Sequence, residues 1–204
     1  MNIIQLTEPP VEPITLDEVY LHLRLDPDAG SPTVHPDDAM LRSHIKAARE
    51  RCEAATRRSF VLRTLRLSKE RFPDIRESSV IELLNGPVQE IVQIRYYDED
   101  NAIQTLDDSV YFLIDDIVPL VQLVDGEVWP ETYDRMDAVQ VDYKAGYAPE
   151  GSPEQDFVTN IPASIKEAMK LDVQLLYDDI AVSQRTAMEI AISRLLANYK
   201  IATF

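Results

Sequence analysis

The sequence predicts an α+β fold in which helices at both ends pack as a small bundle and a mostly antiparallel β region is inserted between them. Three observations lead there. Apolar residues recur at helical spacing over residues 14–58 and again over 160–197. Between them, over residues 60–147, the period drops to two and the runs become β-branched and aromatic. Turn signals at Asn85-Gly86-Pro87, Asp98-Glu99-Asp100-Asn101 and Asp125-Gly126 separate those runs, which favours a mostly antiparallel sheet or small sandwich over a parallel one. The expectation is one domain over residues 1–204, with a helical subregion of 14–58 plus 160–197 and an inserted β subregion of 60–147.

The first helix is announced by Thr15-Leu16-Asp17-Glu18, a capping box in which hydroxyl and carboxylate each satisfy an orphan backbone donor. Ile14 and Val19 are spaced as a hydrophobic staple, and Leu16, Val19, Tyr20 and Leu23 mark one face. The helix should stop near Asp26-Pro27, because a residue before proline avoids helical geometry. Residues 26–36, rich in Pro, Asp, Gly and Ser, read as a loop. A longer helix begins near Asp37 or Asp38 and ends around Arg57 or Arg58, with Leu41, Ile45, Ala48, Cys52 and Ala55 as its buried stripe. Arg42, Lys46, Arg49 and Glu53 form a charged stripe beside it.

The strands expected next contain Leu65 and Leu67, then Val80 to Leu83, Val88 to Tyr97, Val110 to Ile114, Val118 to Val124 and Val139 to Tyr143. After a loop, Pro162 suits the first position of a third helix lined by Ile165, Ala168, Met169, Leu171, Leu175 and Leu176. Asp178 and Asp179 interrupt that pattern. A last helix from about Thr186 carries Ile190, Ile192, Leu195 and Leu196, and the tail ends in apolar Ile201 and Phe204.

With 45% hydrophobic and 27% charged residues the chain has an ordinary globular composition. No apolar run approaches the roughly 18 residues of a membrane span, and residues 1–10 lack the basic start and apolar stretch of a signal peptide, so a soluble protein made in the cytoplasm is expected. The net charge of −16 argues against wrapping nucleic acid, which draws its affinity from cations displacing phosphate counterions. The charge is uneven: residues 41–76 hold eleven Lys or Arg against four acids, a net of +7, whereas residues 98–142 hold thirteen acids against Arg135, a net of −12. Charge runs of this kind are solvated faces or complementary surfaces on neighbouring copies.

No catalytic, cofactor or metal site is legible. The single Cys52 lies at the spacing of a buried helical stripe and reads as a core thiol. His22, His35 and His44 have no spacing that makes a metal pair on one helix. With five glycines there is no phosphate-binding loop, no dinucleotide fingerprint and no nucleophile elbow. The carboxylate pairs Asp98 with Asp100 and Asp115 with Asp116 fall in turn-like segments without the glycine and terminal glutamate of a calcium loop.

Read together, several segments carry a resemblance. They are Ile14-Thr15-Leu16-Asp17-Glu18-Val19 leading to Leu21-His22-Leu23-Arg24, and Asp37-Asp38 through Leu41, Ile45, Ala47-Ala48-Arg49 and Glu53 to Thr56-Arg57-Arg58. Val92 to Tyr97 with Asp98, Val110-Tyr111, Trp129-Pro130, Val139 to Tyr143, Ala145-Gly146-Tyr147 and Ile161-Pro162-Ala163-Ser164-Ile165-Lys166-Glu167-Ala168 follow in order. The chain resembles the head-tail connector (head completion or adaptor) proteins of long-tailed bacteriophages and prophages. It departs from them at Asn198-Tyr199-Lys200, where the family has a Pro-Tyr-Arg-like segment. The resemblance implies a non-enzymatic virion protein of the neck, assembled in the host cytoplasm. Its copies would form a ring, dodecameric on the portal, that closes the filled head and offers an attachment surface to the tail or a second neck protein. DNA would be non-specific cargo in the channel, and no membrane or cofactor is implied. Another neck or tail-assembly protein of the same plan, or a small enzyme without a recognisable motif, are the alternatives. On the connector reading, the candidate subunit interface is Arg42, Lys46 and Arg49 against Asp98, Asp100, Asp115 and Asp116, and the candidate docking tail is Tyr199, Ile201 and Phe204.

Overall fold

The structure is a computed structural model and describes residues 2–25, 35–74, 79–147 and 158–201. The described residues form strands β1 (Asn2–Gln5), β2 (Arg63–Lys69), β3 (Val80–Glu82), β4 (Val88–Tyr97), β5 (Ile103–Thr105), β6 (Tyr111–Ile114), β7 (Leu120–Leu123) and β8 (Val139–Ala145). The helices are α1 (Leu16–Leu23), α2 (Asp38–Thr56), α3 (Ala163–Tyr177) and α4 (Val182–Leu196). This is the expected α+β plan, with helices at both ends and antiparallel strands between. The chain divides into two compact units, one of Met1–Pro9 with Leu62–Ser152 and one of Pro10–Val61 with Pro153–Phe204.

In the helical unit α2 packs on α3, α3 on α4, and α1 on both α2 and α3. The capping box forms as spelled: the Glu18 N–H donates to the Thr15 hydroxyl at 3.1 Å, and the Thr15 N–H donates to the Glu18 carboxylate at 2.7 Å. Ile14 and Val19 of the staple are both buried. Helix α1 stops at Leu23, ahead of the proline expected to end it, because Arg24 takes the left-handed conformation and its N–H closes on the Leu21 carbonyl. Arg57 ends α2 in the same way, with its N–H on the Glu53 carbonyl.

Three stripes need correction. On α3, Leu176 is exposed while Asp172 and Val173 are buried. On α2, Leu41, Ile45, Ala48 and Cys52 are buried as expected, but Ala55 is exposed while Arg49, Glu53 and Thr56 are buried. Helix α4 begins at Val182, a turn before Thr186, and its apolar residues do not form one buried face. Leu196 alone is buried among its described residues, Ile190 is 48% exposed and Val182 80% exposed.

The β unit has a five-stranded sheet in the order β1-β2-β8-β4-β5 and a three-stranded sheet in the order β3-β7-β6, with every pairing antiparallel. One core lies between them, built from Leu65, Leu67, Ile81, Ile94, Val121, Val139, Val141 and Tyr143, and the Tyr143 hydroxyl donates to the Leu84 carbonyl at 2.8 Å. Phe72 stacks on Trp129 at its margin, with ring centroids 4.7 Å apart. Two short edge strands, β1 and β5, were not anticipated. Each has three or four residues without clean alternation, and pairing to β2 and β4 makes them strands.

Candidate assembly surfaces

In the helical unit the charged stripe of α2 divides into two parts with different roles. Arg49 is only 2% exposed. Its Nε donates to Glu12 at 2.7 Å and its Nη1 to Glu53 at 3.1 Å, while a Glu53 oxygen accepts the Phe60 N–H at 2.8 Å. Burial opposes the Arg49 charge, but the two carboxylates outweigh it and hold the guanidinium above its ordinary pKa. Arg49 is therefore a tie within its own unit, and its burial leaves little of it to meet a neighbouring copy.

Arg42 and Lys46, two turns and one turn earlier, are exposed. They stand at the rim of a cleft of about 500 Å³ with buried Ile14 and Ile45 in it and half-buried Val11 and Leu16 beside them. Glu12 also borders this cleft, but its carboxylate is taken up by Arg49. Among the described residues neither Arg42 nor Lys46 has an ion-pair partner. The cleft is apolar with free cations at its edge.

The acidic segment of the β unit also divides. Asp98 braces its own turn: its carboxylate accepts the Ala102 N–H at 2.9 Å, the Asp100 N–H at 3.1 Å and the Gln104 side-chain amide at 2.7 Å. The Gln104 and Ala102 bonds hold its carboxyl below the usual range. Asp100, Asp115 and Asp116 are exposed, the last two on the turn that joins β6 to β7. Asp142 on β8 belongs to the acidic run by sequence only. It is buried, receives Arg66 through two bonds of 2.6 and 2.9 Å and Gln93 at 2.9 Å, and lies 3.6 Å from Arg95. Burial alone would raise its pKa, but these donors outweigh burial and lower it.

Of the candidate docking tail, Tyr199 and Ile201 fold back on their own unit. The Arg58 Nε donates to the Tyr199 carbonyl at 2.8 Å, and Ile201 is buried with its N–H on the Thr56 carbonyl at 3.1 Å. Phe204 lies outside the described residues. Sequence reasoning missed Glu12 and the Arg66–Asp142 pair, since partners separated by 37 and 76 positions leave no spacing signal. It also passed over Ile117, 70% exposed between Asp116 and Val118.

Cys52 and the three histidines have ordinary structural surroundings. Burial, with help from the Asp172 carboxylate, pushes the Cys52 thiol up to about 12, far from a reactive thiolate. His22 pairs with the Gln174 side chain at 3.1 Å, His35 accepts the Asp37 N–H at 3.1 Å, and His44 is half-buried on α2. Among the described residues no group of three or more His, Cys, Asp or Glu is placed to hold a metal ion, and no helix is long and apolar enough to cross a membrane.

No protein-family model matches the chain, and no curated protein matches it. Solved structures do. A chain in the neck of an empty gene transfer agent particle, computed with C6 symmetry, matches 100% of this chain over 97% of its own length, with a TM-score of 0.77 and 21% identity. A chain in the virion of a native gene transfer agent particle matches over the same extent at a TM-score of 0.77 and 20% identity. One in the neck of the native particle, computed with C12 symmetry, gives 0.73 and 20%. From end to end, this chain shares its fold with chains of the neck of a gene transfer agent particle.

Proposed function

We propose that the chain is a structural protein of the neck of a phage-like particle and not an enzyme. In this reading its copies form a ring under the portal, dodecameric there, that closes the filled head, passes DNA through its channel and gives the tail or a second neck protein its attachment surface. The observation that carries it is the fold likeness to neck chains, which covers 100% of this chain and 97% of the neck chain. The resemblance of the sequence to head-tail connectors points to the same part of a particle. Chains in an assembly of C12 symmetry also support a ring of copies here. A net charge of −16 suits a conduit, because an acidic wall repels DNA in transit where a basic one would retain it. Arg42 and Lys46 against Asp100, Asp115 and Asp116 are the candidate contacts between copies.

The test is electron microscopy of the purified protein alone and mixed with DNA-filled heads that bear its portal. A closed ring seated on the portal is the expected result. Density only along the tail shaft would replace this reading with that of another tail-assembly protein, and no ring in either sample would overturn it.

A further inference from the structure

The turn between β6 and β7 carries an apolar side chain in an acidic setting. Ile117 is 70% exposed, and Asp115 and Asp116 precede it, both exposed. One Asp116 oxygen accepts the Ile117 N–H at 2.6 Å, which fixes that carboxylate beside the isoleucine. The base of the turn is anchored: Pro119 is buried, its carbonyl accepts the Leu83 N–H at 2.8 Å, and the backbone of Gly86 comes so close that a Cβ there would meet the Pro119 ring at 3.2 Å. A turn anchored at its base thus presents one apolar side chain and two carboxylates at its tip.

The helical unit holds the counterpart. The cleft at α2 offers Ile14, Ile45, Val11 and Leu16 as apolar surface, with Arg42 and Lys46, exposed and without ion-pair partners among the described residues, at its rim. An exposed isoleucine alone is ordinary. The match of apolar centre to apolar cleft, and of two carboxylates to two cations, is what identifies an occupant. We propose that the Asp115-Asp116-Ile117 tip of one copy seats in the Arg42–Lys46 cleft of the next. The two surfaces are different, so the contact is head-to-tail and repeats from copy to copy, as a ring requires. This inference rests on the ring-forming reading above.

The test uses the full-length protein in sedimentation velocity across a concentration series, on portal-bearing heads if the free chain is monomeric. Circular dichroism checks that each variant folds. Removing the apolar anchor with Ile117→Ser should raise the concentration for half-assembly by about tenfold or more. Asp115→Lys with Asp116→Lys, or Arg42→Glu with Lys46→Glu, should each raise it by about threefold to tenfold, and the four changes combined should restore most of the loss. Wild-type rings that no variant disturbs would overturn the contact and leave the ring reading standing. Loss with Ile117→Ser alone, without effect of either reversal, would overturn the cleft as its seat. No wild-type ring in any sample would overturn both.

Discussion

Charge by itself does not say what a side chain does in this protein. Arg42, Lys46 and Arg49 look alike in sequence, yet two are exposed and one is enclosed between Glu12 and Glu53. Asp142 and Asp100 both belong to an acidic run, and only Asp142 is buried with arginine and glutamine donors on it. Asp142→Asn should destabilise the β unit at pH 7 by about 3 kcal/mol, at the low end for breaking a buried ion pair because Arg66 keeps some contact with water. Its folded-state pKa is depressed, so the stability it contributes is present above the unfolded value of about 3.9 and is lost as pH falls through the lower folded value. The gap between wild type and variant should therefore close below about pH 4. Urea unfolding followed by the fluorescence of Trp129, the single tryptophan and part of the β unit, measures this directly. A gap that stayed constant with pH would mean that the effect is packing and not charge.

Local chemistry fixes element ends well and lateral faces poorly. Thr15 and Glu18 make the capping box their spelling announces, and Asn85-Gly86-Pro87, Asp98 to Asn101 and Asp125-Gly126 each fall between strands. Thr15→Ala should cost about 1 kcal/mol, felt as lost hydrogen-exchange protection over α1, while Thr15→Ser should retain most of it. Protection unchanged in the alanine variant would show that packing on α2 and α3, and not the cap, holds α1. Faces were less legible. The buried stripe of α2 drifts from Ala55 toward Thr56 because 3.6 residues per turn do not keep a fixed register over 19 residues. Helix α4 has apolar residues on all sides, so no amphipathic period identifies its packed face.

At the scale of the whole molecule the surplus of acid decides what the protein should avoid. With a net charge of −16, free protein at micromolar concentration should leave duplex DNA unretarded in a gel at physiological salt. A shift at nanomolar protein would mean that the acidic groups lie away from a basic binding face. If copies assemble as proposed, the same surplus opposes their approach except where patches of opposite charge meet.

The α+β class, the four helices, most strand positions and the lack of any familiar catalytic motif were legible along the chain, because they depend on periodicities and caps within a few residues of one another, though the edge strands β1 and β5 were not. The sequence also carried the resemblance to head-tail connectors, which the end-to-end fold likeness to neck chains now accompanies. Packing alone puts Met1–Pro9 in the β unit, makes Arg49 and Asp142 internal, folds Tyr199 onto Arg58 and Ile201 onto the end of α2, and leaves Ile117 exposed next to Asp115 and Asp116 in sequence. Each of these depends on which distant residue comes within about 4 Å, and that is fixed by how helices and sheets pack, not by spacing along the chain.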